Sequence, residues 1–214
     1  VAKRLLNNKP QGFLGINVGP NKDTKNKSLD FLECIKKLNE FASYITINIS
    51  SPNTEGLRDF HEQTMLTKLL DMINELKKNG KIFTPIILKL SPDINDQEIS
   101  KINEIILKFK INGLILTNTT NKNRDKLEDA NKIESGGLSG APLQNLSTNF
   151  IRNFYKSNKG KLPIIGVGGI DSGQSAFDKI TAGASAVQLY TGMVYKGPGI
   201  VKDIKKELIK ILKK

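Results

Sequence analysis

Short apolar, β-branched runs alternate with amphipathic stretches along this chain, and no other feature constrains its fold so tightly. The runs fall at residues 12–18, 44–50, 85–90, 113–118, 162–167 and 186–190. Nearly every position in them is apolar, the pattern of strands covered on both faces in a parallel sheet. Between them, residues 29–41, 63–78, 97–109, 173–182 and 200–212 place apolar side chains at helical spacing, as Leu66, Leu69, Leu70, Ile73 and Leu76 do. Asn95, three residues before Glu98, is a candidate cap. Ser147 is expected to cap a helix ending near Lys156. Such alternation means an α/β fold, either doubly wound or a (β/α)8 TIM barrel.

Unit length bears on that choice. The strand starts are about 35 residues apart over a chain of 214 residues, whereas a complete barrel of eight units takes ~250. A barrel reading therefore makes residues 1–214 a single domain with about six of the eight βα units, two missing from the front. Residues 1–8 read as the end of a helix and the first residue is Val1, so the chain is expected to be a piece of something longer.

Composition excludes several classes of chemistry. One cysteine, Cys34, rules out an internal disulfide framework, and with a single histidine, His61, a thiolate–imidazole zinc cluster is excluded too. No metal site is expected. Cys34 is on the apolar side of its helix and reads as packing. The net charge of +12 raises a nucleic-acid reading. Yet Arg occurs only at positions 4, 58, 124 and 152, leaving 29 lysines, with 26 Ile and 21 Asn beside them. These residues have A/T-rich codons, and the lysines are scattered along helix faces rather than clustered with aromatics. No nucleic-acid partner is expected.

In either α/β architecture the chemistry lies where the strands end. Those ends carry Asn17, Asn48 with Ser50-Ser51-Pro52-Asn53-Thr54, Lys89, Thr117-Asn118-Thr119, Gly168-Gly169 and Tyr190-Thr191-Gly192. The set is neutral and rich in amides, apart from Lys89. An asparagine amide both donates and accepts, which suits a planar ligand with alternating donors and acceptors. Gly166-Val-Gly168-Gly169 fails the dinucleotide fingerprint because Asp171 takes its last slot. As a seventh barrel unit, the same glycines would let backbone N–H groups approach a phosphate, with Gly192 and a helix near Pro198 forming the eighth. Residues 119–140 form the longest stretch without a helix or strand pattern, and such loops are usually functional. From the residues alone, a phosphate-binding barrel lyase or isomerase and a basic RNA-binding domain remain alternatives.

Seven blocks carry a closer resemblance. Asn48-Ile-Ser-Ser-Pro-Asn-Thr-Glu-Gly-Leu-Arg58 is similar to the signature of the dihydroorotate dehydrogenases, flavin enzymes of pyrimidine synthesis. Gly15-Ile-Asn-Val-Gly19, Lys89-Leu-Ser-Pro-Asp93, Thr117-Asn-Thr-Thr120, Gly136-Gly-Leu-Ser-Gly140, Pro163-Ile-Ile-Gly-Val-Gly-Gly-Ile170 and Gln188-Leu-Tyr-Thr191 follow in family order. Class 1 members carry cysteine at the catalytic base position and quinone-reducing, membrane-associated class 2 members carry serine, so Ser51 resembles class 2.

That resemblance implies a (β/α)8 barrel holding FMN, oxidation of dihydroorotate to orotate, and a respiratory quinone as final acceptor. It implies Ser51 as the base and Thr54 as its relay, because a serine hydroxyl is too weak a base unaided. Asn48, Asn53, Asn118 and Thr119 would hold the substrate, with Asn48 also facing the flavin. Lys89 would lie by the N1/O2 edge of the ring, Asn17 and Thr117 would bond the ring, and Gly140, Gly168, Gly169, Tyr190 and Thr191 would wrap its phosphate tail. The family's first two strands, with a glycine-rich flavin contact and a substrate lysine, have no counterpart in this sequence. Neither does the helical pair that docks class 2 members on a membrane. Peripheral attachment to a bacterial inner membrane, on its cytoplasmic side, or to a mitochondrial inner membrane is the corresponding expectation.

Overall fold

The computed structural model describes residues 1–8, 11–122 and 124–213. A short helix α1 (Ala2–Asn7) leads into β1 (Gly15–Val18), α2 (Lys27–Leu38), β2 (Tyr44–Asn48), α3 (Gln63–Lys78), β3 (Ile86–Leu90), α4 (Asp96–Lys108) and β4 (Gly113–Leu116). There follow α5 (Gln144–Asn158), β5 (Ile164–Val167), α6 (Gly173–Thr181), β6 (Ala186–Gln188), α7 (Thr191–Lys196) and α8 (Ile200–Leu212). All six strands are parallel and lie side by side in chain order. A doubly wound sheet reverses its strand order at a switch point. Here every crossover advances by one strand, the order of a barrel arc.

The register assigns the two faces. Ile45, Ile47, Ile86, Leu88, Leu114, Leu116 and Ile164 turn toward the helices and share one core with Phe31, Leu69, Ile73, Ile102 and Phe154. Burying each such side chain contributes about 1.5–3 kcal/mol. The alternate residues form the other face, where Thr46 pairs with Ile87, Asn48 with Lys89 and Lys89 with Ile115. Because side chains alternate along a strand, Asn48 and Lys89 emerge on that same inner face. α8 packs on α6 through a separate small cluster of Ile170, Ala176, Ile200 and Ile204.

Asn95 caps α4 as its spacing predicts. Its Oδ1 accepts from the Glu98 N–H at 3.0 Å while Glu98 Oε2 accepts from the Asn95 N–H at 2.8 Å, worth about 1 kcal/mol. Ser147 does not cap α5, which begins earlier, at Gln144. It is buried within the first turn and donates to the Val167 carbonyl at 2.6 Å, tying the helix to the end of β5. A second difference is α7, a short helix between β6 and α8 that holds Gly192. Six residues give too little periodicity to declare a helix. β2, β4 and β6 end two residues earlier than their apolar patterns, and beyond β2 and β4 Ser50 and Asn118 make side-chain bonds instead.

Candidate active site

Two asparagines from non-adjacent strands meet at the carboxyl end of the sheet. Asn48 Oδ1 accepts from Ser50 Oγ at 2.9 Å, the Ser50 N–H at 3.3 Å and Asn118 Nδ2 at 3.3 Å. Asn118 Nδ2 also donates to Ser50 Oγ at 3.0 Å, and its Oδ1 accepts the Thr119 N–H at 2.8 Å. Ser50, fully buried, is the hub of this cluster. The neighbouring Ser51 is half-buried, and its Oγ accepts the Asn53 N–H at 3.2 Å. Its hydroxyl proton stays available for another partner. Asn53 is exposed, Thr54 half-buried, and among the described residues no hydrogen bond joins Thr54 to Ser51.

Beside this cluster opens a cavity of about 900 Å³, a size that suits a large cofactor. Of the residues the sequence singles out, Lys89, Thr117, Asn118, Thr119, Gly140, Gly168, Gly169, Tyr190 and Thr191 line it. Asn48, the last residue of β2, and Ser51, Asn53 and Thr54 on the loop after it stand outside that lining. Asn17 is exposed on the inner face of β1, at the end of the sheet opposite Tyr190.

The cavity wall has features that call for a polar ligand. Thr117 Oγ1 is buried with no hydrogen-bond partner among the described residues, and leaving such a group unsatisfied costs about 1–3 kcal/mol. Burial pushes the Lys89 ammonium below its ordinary pKa, and no carboxylate among the described residues pairs with it. At the far end Gly168 and Gly169 take φ of 122° and 71°. A Cβ on Gly169 would come within 2.6 Å of Gln144 Cα, so only glycine lets this turn press against the start of α5. Thr191 Oγ1 donates to Ser139 Oγ at 3.1 Å and so joins the start of α7 to the loop after β4. Chemically, the wall offers a cation, an orphan hydroxyl, an amide and a glycine turn to an anionic, planar ligand.

The long loop of residues 119–140 is built, not slack. An antiparallel bridge of Thr120 with Leu138 closes its neck. Arg124 donates to the carbonyls of Lys132, Glu134 and Gly136 across its span. Asn53 approaches Gly136, while Pro52 and Thr119 crowd Gly137 so closely that a Cβ there would overlap both. The loop therefore packs onto the turn that carries Ser51.

Sequence reading misses one further arrangement. Arg58, in a 3-10 turn just before α3, pairs with Asp93 at 2.9 Å. The same guanidinium donates from Nε to the Ser50 carbonyl at 3.4 Å and from Nη2 to the Thr119 carbonyl at 3.3 Å. Asp93 in turn accepts from Thr120 Oγ1 and from the Asn121 N–H. Both residues lie in the blocks that resemble the family, but nothing in one sequence says that side chains 35 positions apart meet.

The sequence profile of the family described as Dihydroorotate dehydrogenase matches residues 1–212. Among curated relatives, a dihydroorotate dehydrogenase (quinone) of Vibrio parahaemolyticus is 48% identical over 204 residues, covering 91% of this chain and 60% of that protein. One of Idiomarina loihiensis is 44% identical over 200 residues with the same coverage. The chain thus spans about 60% of the length of these relatives. A crystal structure of DHODH from Eimeria tenella in complex with ferulenol superposes with a TM-score of 0.91 at 34% identity, over 99% of this chain and 63% of that one. A ligand-free structure from the same organism gives 0.89 at 36% identity, over 100% and 64%. With its parallel barrel arc and these matches, the chain belongs to the dihydroorotate dehydrogenase family.

Proposed function

We propose that the protein containing this chain oxidises dihydroorotate to orotate for pyrimidine synthesis, holding FMN in the cavity and passing electrons to a respiratory quinone at a membrane surface to which it is peripherally attached. The observation that carries this reading is the continuity of two sites. The Asn48–Ser50–Asn118 cluster, suited to a flat ligand with amide and carbonyl edges, abuts a cavity with a cation and a glycine turn. The names of the relatives support the quinone acceptor. Among the described residues no helix is long and apolar enough to cross a membrane.

FMN, when bound, supplies a two-electron acceptor for the hydride that leaves C6 of the substrate. The remaining work falls to side chains of this chain. Lys89 would offer positive charge to a ring edge that gains electrons, and Thr117 Oγ1 would gain from the ring a partner it lacks among the described residues. Asn17 and Asn48 add contacts to the ring. Gly140, Gly168, Gly169, Tyr190 and Thr191 receive the phosphate-bearing tail. Asn48, Asn53, Asn118 and Thr119 orient dihydroorotate by matching its amide and carboxylate groups. Ser51 Oγ takes the C5 proton as its own hydroxyl proton, free of any acceptor among the described residues, passes toward Thr54 and solvent. The loop of residues 119–140 covers this turn and limits the access of water.

Purified full-length protein should be yellow, and anaerobic dihydroorotate should bleach its flavin band. A colourless protein that FMN cannot reconstitute would overturn the proposal.

A further inference from the structure

Arg58 and Asp93 sit at the junction of three strand exits, and neither lines the cavity. Three of the guanidinium's donors are used, each in a different direction. Nε reaches the carbonyl of Ser50 after β2, Nη1 the carboxylate of Asp93 after β3, and Nη2 the carbonyl of Thr119 after β4. Asp93 closes the figure by accepting from Thr120 and Asn121 beyond β4. The pair is half-buried, where charge-assisted hydrogen bonds are strong and loss of one partner is costly. A planar guanidinium spreads its donors over three nitrogens and so reaches three separated acceptors, whereas the three donors of a lysine radiate from one atom.

We propose that Arg58 and Asp93 are positioning residues that lock the turn carrying Ser51 against the loop carrying Asn118 and Thr119, so that base and substrate-holding groups keep one fixed separation. The carbonyl that Arg58 holds belongs to the residue immediately before Ser51, and the other belongs to Thr119 itself. Displacing either loop moves the base relative to the substrate while leaving Lys89 and the glycine turn in place. This inference rests on the assignment of Ser51 as base.

The test uses full-length, FMN-loaded protein with the variants Arg58→Lys, Asp93→Asn, Thr120→Val and the Arg58→Lys/Asp93→Asn double. Flavin reduction by dihydroorotate is followed anaerobically by stopped flow and expressed per bound FMN. Each of the first two changes should slow reduction about 10- to 100-fold with FMN content kept, since misplacement by about 1 Å costs that much. The double variant should be no slower than the slower single, because the pair acts as one unit. Thr120→Val, the mildest, should slow reduction several-fold. Hydrogen exchange should show residues 50–57 and 119–122 losing protection together, with residues 166–170 unchanged. Rates per FMN within twofold of the parent, or additive losses that track FMN content, would reduce the pair to a general stabilising contact and overturn the proposal. Should the parent itself fail to reduce flavin with dihydroorotate, the activity reading fails separately. The exchange result then decides: joint loss of protection supports the lock, and loss in one segment alone refutes it.

Discussion

Asn118 donates from its amide nitrogen to Oδ1 of Asn48 across 3.3 Å, although β3 separates their strands in the sheet. The contact is possible because Asn48 is the last residue of β2 and Asn118, two residues past β4, is held beside it by its N–H bond to the Leu90 carbonyl of β3. Asn48→Leu would leave the Ser50 N–H, the buried Ser50 hydroxyl and the Asn118 amide without their common acceptor. A loss of about 1–3 kcal/mol in stability is expected, together with weaker orotate binding. Urea unfolding and orotate titration of the full-length variant measure the two effects, and unchanged values in both would remove Asn48 from its central place.

Ser51→Ala keeps the turn and removes only the oxygen that accepts the Asn53 N–H. As a general base contributes roughly 10²–10⁴-fold, anaerobic flavin reduction should slow by that factor with FMN still bound. Ser51→Cys should recover part of the rate at alkaline pH, where the thiolate forms. Near-normal single-turnover reduction in Ser51→Ala would reject the assignment.

All six strands, α3 and α8 were legible because parallel strands and amphipathic helices write their burial directly into apolar periodicity. The capping box at Asn95 was legible because both partners lie within one turn. Ser147 was misread because a serine near a helix start looks like a cap, whereas its hydroxyl is used three-dimensionally, on Val167 of the next strand. The strand-end residues could be named from topology, since parallel α/β folds gather strand exits at one end. Resemblance, not periodicity, gave them their roles. What stayed hidden is long-range polar geometry: the Arg58–Asp93 pair, the Arg124 fastening of its own loop, and the choice of Ser50 rather than Ser51 as the hub. Polar partners leave no period in a sequence.

Gly169→Ala tests the cradle end of the cavity. The substitution forces a Cβ into a backbone with φ of 71° and to within 2.6 Å of Gln144 Cα. Backbone atoms of a helix start cannot yield as a flexible side chain can, so the turn must move, at about 1–3 kcal/mol of strain. FMN should be lost on gel filtration at least tenfold faster than from the parent, while the fold, followed by circular dichroism, persists. FMN retention equal to the parent would mean that this turn does not contact the phosphate tail.

His61 ties stability to acid. It ends the 3-10 turn of Arg58, its Nε2 is buried without a partner among the described residues, and its pKa falls to about 4. Burial is the main cause, the Arg58 charge adds to it, and Asp93 opposes it. An unfolded chain carries histidine near 6.5. Between pH 6.5 and 4 the unfolded state therefore binds a proton that the folded state refuses, so stability rises with pH through that window and is lost as pH falls. The contribution reaches up to about 3 kcal/mol at the acid end. His61→Gln, neutral at every pH, should flatten this part of the profile, whereas carboxylate titration persists in both proteins. Urea unfolding of the full-length parent and variant at pH 7, 6, 5 and 4.5 gives the two slopes. Parallel slopes would show that His61 titrates as freely in the fold as in the unfolded chain.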